Sequence, residues 1–196
     1  AGGLWFDGVS DYVTLPSVDA DFTAGFTIEA WVCFADSGSF ARILELCKSR
    51  TVDSIIVARE ATNANLGLWI TRAGQTGTLL ATGVIQNGVW MHVAVTLGGV
   101  ADGSGTATIY IDGQARASGS LIAPPAGPRG MAMLGKSSTS WDALFRGRMS
   151  EVRIWNRARS QEDIQAARYQ RLDPCEPGLV AYYPLDERDS SLAHDV

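Results

Sequence analysis

Hydrophobic and polar residues alternate with a period of two along most of the chain, the pattern of strands with one face buried. Phe26-Thr27-Ile28-Glu29-Ala30-Trp31-Val32 puts Phe26, Ile28, Ala30 and Val32 on one face, with Glu29 and Trp31 on the other. Trp90–Thr96 and Gly105–Ile111 read the same way, and shorter strands are predicted at Leu4–Phe6, Tyr12–Leu15, Ile43–Lys48, Ser54–Arg59, Leu66–Thr71, Met131–Gly135, Met149–Trp155 and Leu179–Tyr183. Many short strands at regular spacing with turn signals between them predict a sandwich or barrel. Asp112-Gly113 supplies the positive φ of a tight hairpin into Ala115–Ser118. Asn87-Gly88, Gly98-Gly99 and Asp102-Gly103 mark further loops, and Pro124, Pro125 and Pro128 keep their stretch out of a central strand.

One helix is predicted near Ser160–Leu172. Ser160 can cap it, Glu162 and Asp163 suit its first turn, and Arg168 and Arg171 suit its last. Ile164, Ala167 and Leu172 give it a thin apolar stripe with Tyr169 at the edge, and Pro174 stops it. No 20–50-residue repeat is present, which excludes solenoids and propellers. The expected fold class is all-β: a two-sheet antiparallel jelly-roll sandwich with one short helix, spanning 1–196 as one domain with a polar tail from about 186.

Composition narrows the function. The chain has 196 residues, 46% of them hydrophobic, enough to bury a core. Its formal charge is −5, and no two Lys or Arg residues are adjacent, so nucleic acid and anionic membrane surfaces are not expected partners. Apolar runs are strand-length, and membrane insertion is not expected. Cys33, Cys47 and Cys175 have no zinc-like spacing. Cys33 and Cys47 are expected on the two strands of one hairpin, but pairing Cys33 with Ile43 leaves Cys47 about four residues out of register. The choice is then a bulged disulfide or three buried free thiols.

Taken together, Phe6-Asp7-Gly8-Val9-Ser10-Asp11-Tyr12-Val13, the Phe26–Val32 strand, Trp90-Met91-His92-Val93-Ala94-Val95, Ile109-Tyr110-Ile111-Asp112-Gly113 and Gly147–Asn156 resemble the laminin-G-like jelly-roll family of the concanavalin A-like superfamily. The resemblance runs through nearly the whole chain in the family's order. It implies a secreted or cell-surface binding module within a larger protein, recognising a glycan or glycosylated surface; the alternative is a protein–protein or structural adhesion module. Leu134-Gly135, the loop to Trp141 and the following strand also resemble the pentraxins, in which loop-bound calcium recruits the ligand. Ser137 and Ser138 stand where carboxyl and amide ligands are expected, and Ser150 stands where Asp is frequent. Glu176–Glu187 resembles the opening of such domains in tandem proteins. It is either this domain's own closing strand, the favoured choice for an apolar run with two tyrosines, or part of a next module.

Candidate chemistry rests on a few residues. Polysaccharide-cleaving relatives need two opposed carboxylates, and the E-x-D-x-x-E pattern is absent. Glu29 and Glu45 are the remaining pair, as diagonal neighbours on one hairpin face. His92 reads as a structural, hydrogen-bonded histidine, and His194 lies in the tail. Calcium, which takes several oxygens, is expected first at Asp53 and Asp142 and then at Asp7 and Asp11, unless the latter two only order their turn. Trp5, Trp31, Trp69, Trp90 and Trp155 fall in strands and are assigned to the core. Trp141 lies in a loop, and with Asp142, Ser138 and Ser140 it makes the expected ligand site.

Overall fold

A computed structural model describes residues 2–36, 38–49, 52–186 and 195. Its strands are β1 (Leu4–Asp7), β2 (Val13–Leu15), β3 (Phe26–Phe34), β4 (Arg42–Ser49), β5 (Val52–Arg59), β6 (Leu66–Arg72), β7 (Gln75–Ala81), β8 (Trp90–Ala101), β9 (Ser104–Ile111), β10 (Gln114–Ile122), β11 (Met131–Leu134), β12 (Arg146–Trp155) and β13 (Leu179–Tyr183), with one helix, α1 (Gln161–Ala167). They form two antiparallel sheets, the jelly-roll arrangement. A seven-stranded sheet runs β1-β12-β3-β8-β9-β10 with β13 also on β12, and a six-stranded sheet runs β2-β11-β4-β5-β6-β7.

The period-two pattern sets which side chains meet between the sheets. Phe26, Ile28, Ala30, Val32 and Phe34 from β3 join Leu44, Leu46, Ile55, Val57, Leu68 and Ile70 from the other sheet in one buried cluster. The alternate positions of β3 lie on the outer face. Only Trp155 of the tryptophans is fully buried; Trp5 is 48% exposed, and Trp31, Trp69 and Trp90 are half-buried. The core assignment of Trp5, Trp31, Trp69 and Trp90 is therefore corrected: strand membership fixes a parity, and their parity points outward.

Four other expectations change. β3 and β4 do not form a hairpin but belong to different sheets, so Glu29 and Glu45 are not neighbours and Cys33 cannot meet Cys47. All three cysteines are free, but only Cys47 is buried; Cys33 is half-buried and Cys175 exposed. β7 has no apolar alternation, only Gln75-Thr76-Gly77-Thr78 ahead of Leu79-Leu80, and is held as an edge strand by pairing with β6. Gly98-Gly99 is not a loop, because β8 continues to Ala101 and turns at Asp102-Gly103, both at positive φ.

The helix begins as expected, with Ser160 Oγ accepting from the Asp163 N–H at 3.1 Å, and it buries Ile164 and Ala167. It ends at Ala167 rather than Leu172. Past it the chain turns, with the Gln170 N–H on Ala167 O at 3.0 Å, and side chains of the sheet below hold the segment. Arg153 donates to Ala167 O and Gln170 O, and Trp31 Nε1 donates to Arg168 O at 2.7 Å.

β12 organises one end of the seven-stranded sheet. β1 pairs with its first half (Leu4↔Met149 to Asp7↔Arg146) and β13 with its second half (Val152↔Tyr183 to Trp155↔Leu179). Leu179–Tyr183 is thus this fold's own closing strand. Between the halves, Glu151 sits at φ +54° and the β12–β3 register slips between Ser150 and Arg153. A bulge of this kind re-aims side chains, and it lies beneath a cleft formed with the chain beyond α1.

Candidate binding surfaces

Each sheet carries a buried glutamate on its outer face. In the six-stranded sheet, Glu45 accepts from Arg42 Nε at 2.9 Å, from the Ser138 N–H at 3.1 Å and from Cys47 Sγ at 3.1 Å. Burial pushes its carboxyl up, but these donors outweigh burial and hold it below its ordinary value. Arg42 Nη2 continues to Asp142 Oδ2 at 2.7 Å, and the hydroxyls of Ser137 (2.8 Å) and Thr139 (2.7 Å) reach the same oxygen. The β11–β12 loop is thereby pinned onto β4. Trp141 projects from it with 81% of its surface exposed, and Ser140 is exposed beside it. Ser138 and Asp142 face the opposite way, into the pinning network. Of the four residues expected to share a ligand surface, the fold brings only Trp141 and Ser140 to the outside together.

The residues chosen for calcium do not assemble a site. Asp53 is held by the Ala73 N–H (2.9 Å) and faces Lys48 Nζ (3.6 Å), while Asp142 is held by Arg42. Lys48 and Arg42 stand six residues apart on β4, about 20 Å along an extended strand. The expected Asp53–Asp142 pairing is corrected on that geometry. Asp7 Oδ1 accepts from the N–H groups of Val9, Ser10 and Asp11, and its Oδ2 from Ser10 Oγ; Asp11 accepts from the Asp7 N–H. These backbone donors hold the Asp7 carboxyl well below its usual range. The two order a turn, as in the second reading of that pair. Among the described residues no group of three or more His, Cys, Asp or Glu is placed to hold a metal ion, and these four aspartates, engaged as described, do not converge on a shared calcium site.

In the seven-stranded sheet, Glu29 is fully buried with Arg159 Nη1 at 2.6 Å, His92 Nε2 at 3.4 Å and Arg153 Nη1 at 3.9 Å. Burial raises its carboxyl, and His92 and Arg159 together outweigh it, so the carboxyl stays below its ordinary value. His92 is buried as expected, though 3.4 Å makes a loose electrostatic contact rather than a well-formed hydrogen bond. Arg159 stacks on the Trp155 ring at 4.3 Å, and Arg153 also pairs with Glu151 at 2.9 Å. Tyr182 donates to Glu151 at 2.6 Å, and burial followed by that bond pushes its phenol up to about 12. This network fixes α1 and the segment after it across the sheet.

The chain beyond α1 overhangs the sheet and leaves a cleft of about 500 Å³ above the β1–β13 seam. Trp31, Trp90 and Tyr169 line it, with Ser150, Glu151 and Arg168 among the polar groups at its walls. The Trp31 and Tyr169 rings are 5.3 Å apart at 35°, and Arg168 lies 4.8 Å over the Tyr169 ring. Tyr169 is 73% exposed. Nearby on the same face, Trp5, Arg148, Cys33 and Trp90 form one cross-strand row, with Arg148 over Trp5. Sequence reasoning missed this cleft. The available signal was the parity of Trp31, opposite to Phe26 and Ile28. The two carboxylates lining the cleft, Glu151 and Asp186, are ion-paired with Arg153 and Arg171.

A laminin-G family model described as concanavalin A-like lectin/glucanases superfamily matches residues 7–165. The chain belongs to that superfamily. A candidate carbohydrate-binding protein from Bacteroides ovatus is 21% identical with TM-score 0.71, over 95% of this chain and 53% of that one, so the chain spans about half the length of that relative. Domain 4 of the extracellular arabinanase AbnA from Geobacillus stearothermophilus, in complex with arabinotriose, is 20% identical with TM-score 0.67, over 83% of this chain and 74% of that one. The SAP-like pentraxin of Limulus polyphemus is 16% identical with TM-score 0.58, over 98% and 91%. At these identities the likeness is one of fold. No curated protein sequence matches the chain.

Proposed function

We propose that this laminin-G-like chain is a non-catalytic glycan-recognition module of a larger extracellular or cell-surface protein, and that the ligand seats in the cleft between α1 and the seven-stranded sheet. One observation carries the reading: three aromatic rings, Trp31, Trp90 and Tyr169, share a cleft of about 500 Å³. That volume lies in the range of small-ligand sites, and aromatic faces suit the C–H faces of sugars. Ser150, Glu151 and Gln170 at its walls can orient hydroxyl groups. Superfamily membership and the arabinotriose-bound relative support the same class of ligand. Recognition by this cleft requires no calcium. Glu29 and Glu45, in separate sheets and each paired with arginine, are scaffold groups rather than a catalytic pair. Among the described residues no helix is long and apolar enough to cross a membrane.

A second reading places the contact at the Trp141 loop, on the strength of the 81% exposure of that indole. Titration calorimetry with arabinotriose and a panel of plant and microbial oligosaccharides, in calcium and in chelator, separates the two. Binding lost in Tyr169→Ala and kept in Trp141→Ala supports the cleft. The reverse pattern transfers the site to the loop, and absence of any glycan binding sinks both.

A further inference from the structure

The aromatic surface continues past the cleft toward the edge of the same sheet. Trp5 on β1, Arg148 on β12, Cys33 on β3 and Trp90 on β8 are successive cross-strand partners, and side chains directly opposite one another share a face of the sheet. Trp31 and Ser150 stand opposite each other, two residues along β3 and β12 from Cys33 and Arg148, and so lie on that face as well. Trp5 is thus on the same outer face as the rings of the cleft. It belongs to the end strand of the sheet order, three strand spacings or about 14 Å from β8.

Trp90 joins the two regions. It lines the cleft, while a Cβ added at Gly3 would fall 2.9 Å from its Cη2 atom, so the far rim of the indole lies against the start of β1. Gly3 is two residues from Trp5, at most about 7 Å along the backbone. Between the rings the outward positions hold small residues, Gly3, Cys33 and Ser150. Trp5 itself is 48% exposed, with Arg148 5.9 Å over its ring. Among the described residues no hydrogen bond or ion pair engages the side chain of Trp5 or of Arg148. A half-exposed ring beside unspent N–H donors offers both a stacking face and partners for hydroxyl oxygens.

Resting on the glycan reading above, we infer that the ligand is a glycan chain bound along its length. One part is held among Trp31, Trp90 and Tyr169, and the next passes the rim of Trp90 to stack on Trp5 at the sheet edge. The test is titration calorimetry with size ladders of arabino-, xylo- and gluco-oligosaccharides from one to six units. For at least one series, affinity should rise at least tenfold from the shortest binding member to the longest. Trp5→Thr, which keeps a strand-forming residue on β1, should abolish most of that rise and leave the shortest ligand bound as before. Tyr169→Ala should instead weaken short and long ligands alike. In isotope-labelled wild-type protein, the Trp5 indole N–H resonance should shift with the longest ligand and not with the shortest, a readout that needs no substitution at the site. Affinity that is flat with length, a rise that survives Trp5→Thr, or a Trp5 resonance unmoved by the longest ligand overturns the extended site and leaves the glycan reading standing. Binding of no sugar by the wild-type protein overturns the proposal together with the reading on which it rests.

Discussion

The two outer faces use the same device to different ends. On the six-stranded sheet, Glu45 and Arg42 clamp the β11–β12 loop through Asp142; on the seven-stranded sheet, Glu29, Arg159 and Arg153 clamp α1 and the residues just beyond it. In the loop, the polar groups nearest the exposed indole are consumed by the clamp. Three donors converge on one Asp142 oxygen, and the Ser138 N–H is spent on Glu45. Trp141 is left to project with only Ser140 of the expected group beside it. Over the other sheet the clamp holds a segment that overhangs at a distance, and the space beneath it becomes a cleft walled by three rings. Exposure of an aromatic residue and a polar neighbourhood in sequence do not by themselves make a site. In the cleft the polar walls are engaged as well, Glu151 by Arg153 and Tyr182, and what sets it apart is that three rings share one space.

The comparison breaks most visibly at the clamps. Glu29→Ala strands Arg159 and His92 in a fully buried setting, and removing one partner of such a group costs about 3–5 kcal/mol. Glu45→Ala should fall in or just below the same range. Chemical denaturation measures both, and a loss within about 0.5 kcal/mol, the size of an ordinary surface change, would show that the glutamates are not what secures these segments. Acid should act on the same groups. Both carboxyls lie below their ordinary values in the folded protein, so the stability they contribute is fully present above the unfolded carboxyl range. It is lost as pH falls through their lowered folded values. Stability should therefore decline on acidification below about pH 4.5, with a shallower slope in Glu29→Gln and Glu45→Gln; an unchanged slope in both argues that other carboxylates dominate.

At the cleft the effect moves from stability to binding. Tyr169 is 73% exposed and beyond the end of α1, so Tyr169→Ala should alter stability by no more than about 0.5 kcal/mol. Glycan affinity should drop at least tenfold, about 1.4 kcal/mol. Retained affinity removes the cleft from consideration. Calcium sharpens the contrast from the other side. A ligand that binds only the native state raises the melting temperature, and since the aspartates do not converge, millimolar calcium should leave the melting curve where chelator leaves it. A clear rise would mean that other oxygen donors of the chain form a site.

Much of the architecture was legible because parity is a local property. Leu179–Tyr183 was located to the residue, and the helix start followed from Ser160 and its acidic first turn. What was not legible is what parity leaves open. β3 and β4 are adjacent in sequence yet lie in different sheets, so the Glu29–Glu45 and Cys33–Cys47 relations drawn from a hairpin both fail. The segment just past α1 is held by Arg153 and Trp31 from distant strands, contacts which no local rule contains. β7, polar and glycine-containing, is a strand because β6 offers it a ladder. The cleft was the costliest omission. The alternation of β3 itself puts Trp31 on the outward face, and only the general habit of burying tryptophan argued otherwise.

The smallest expected effect is the one that decides between the two regions. Trp141 is 81% exposed, and among the described residues its indole stacks on no other ring. Removing its indole uncovers no core, so Trp141→Ala should move stability by less than about 0.5 kcal/mol. The clamp beneath it is made by Asp142, Ser137, Thr139 and the backbone of Ser138, none of which depends on the indole. The loop should accordingly keep its shape, and the variant reports on contact alone. If the ligand seats between Trp31, Trp90 and Tyr169, its affinity should stay within about twofold of wild type, under roughly 0.4 kcal/mol at the usual 1.4 kcal/mol per tenfold. A tenfold loss in Trp141→Ala, with Tyr169→Ala unaffected, would place the ligand over the other sheet and make the saturated Asp142 network its rigid support. Tenfold losses in both would require a ligand that contacts both outer faces.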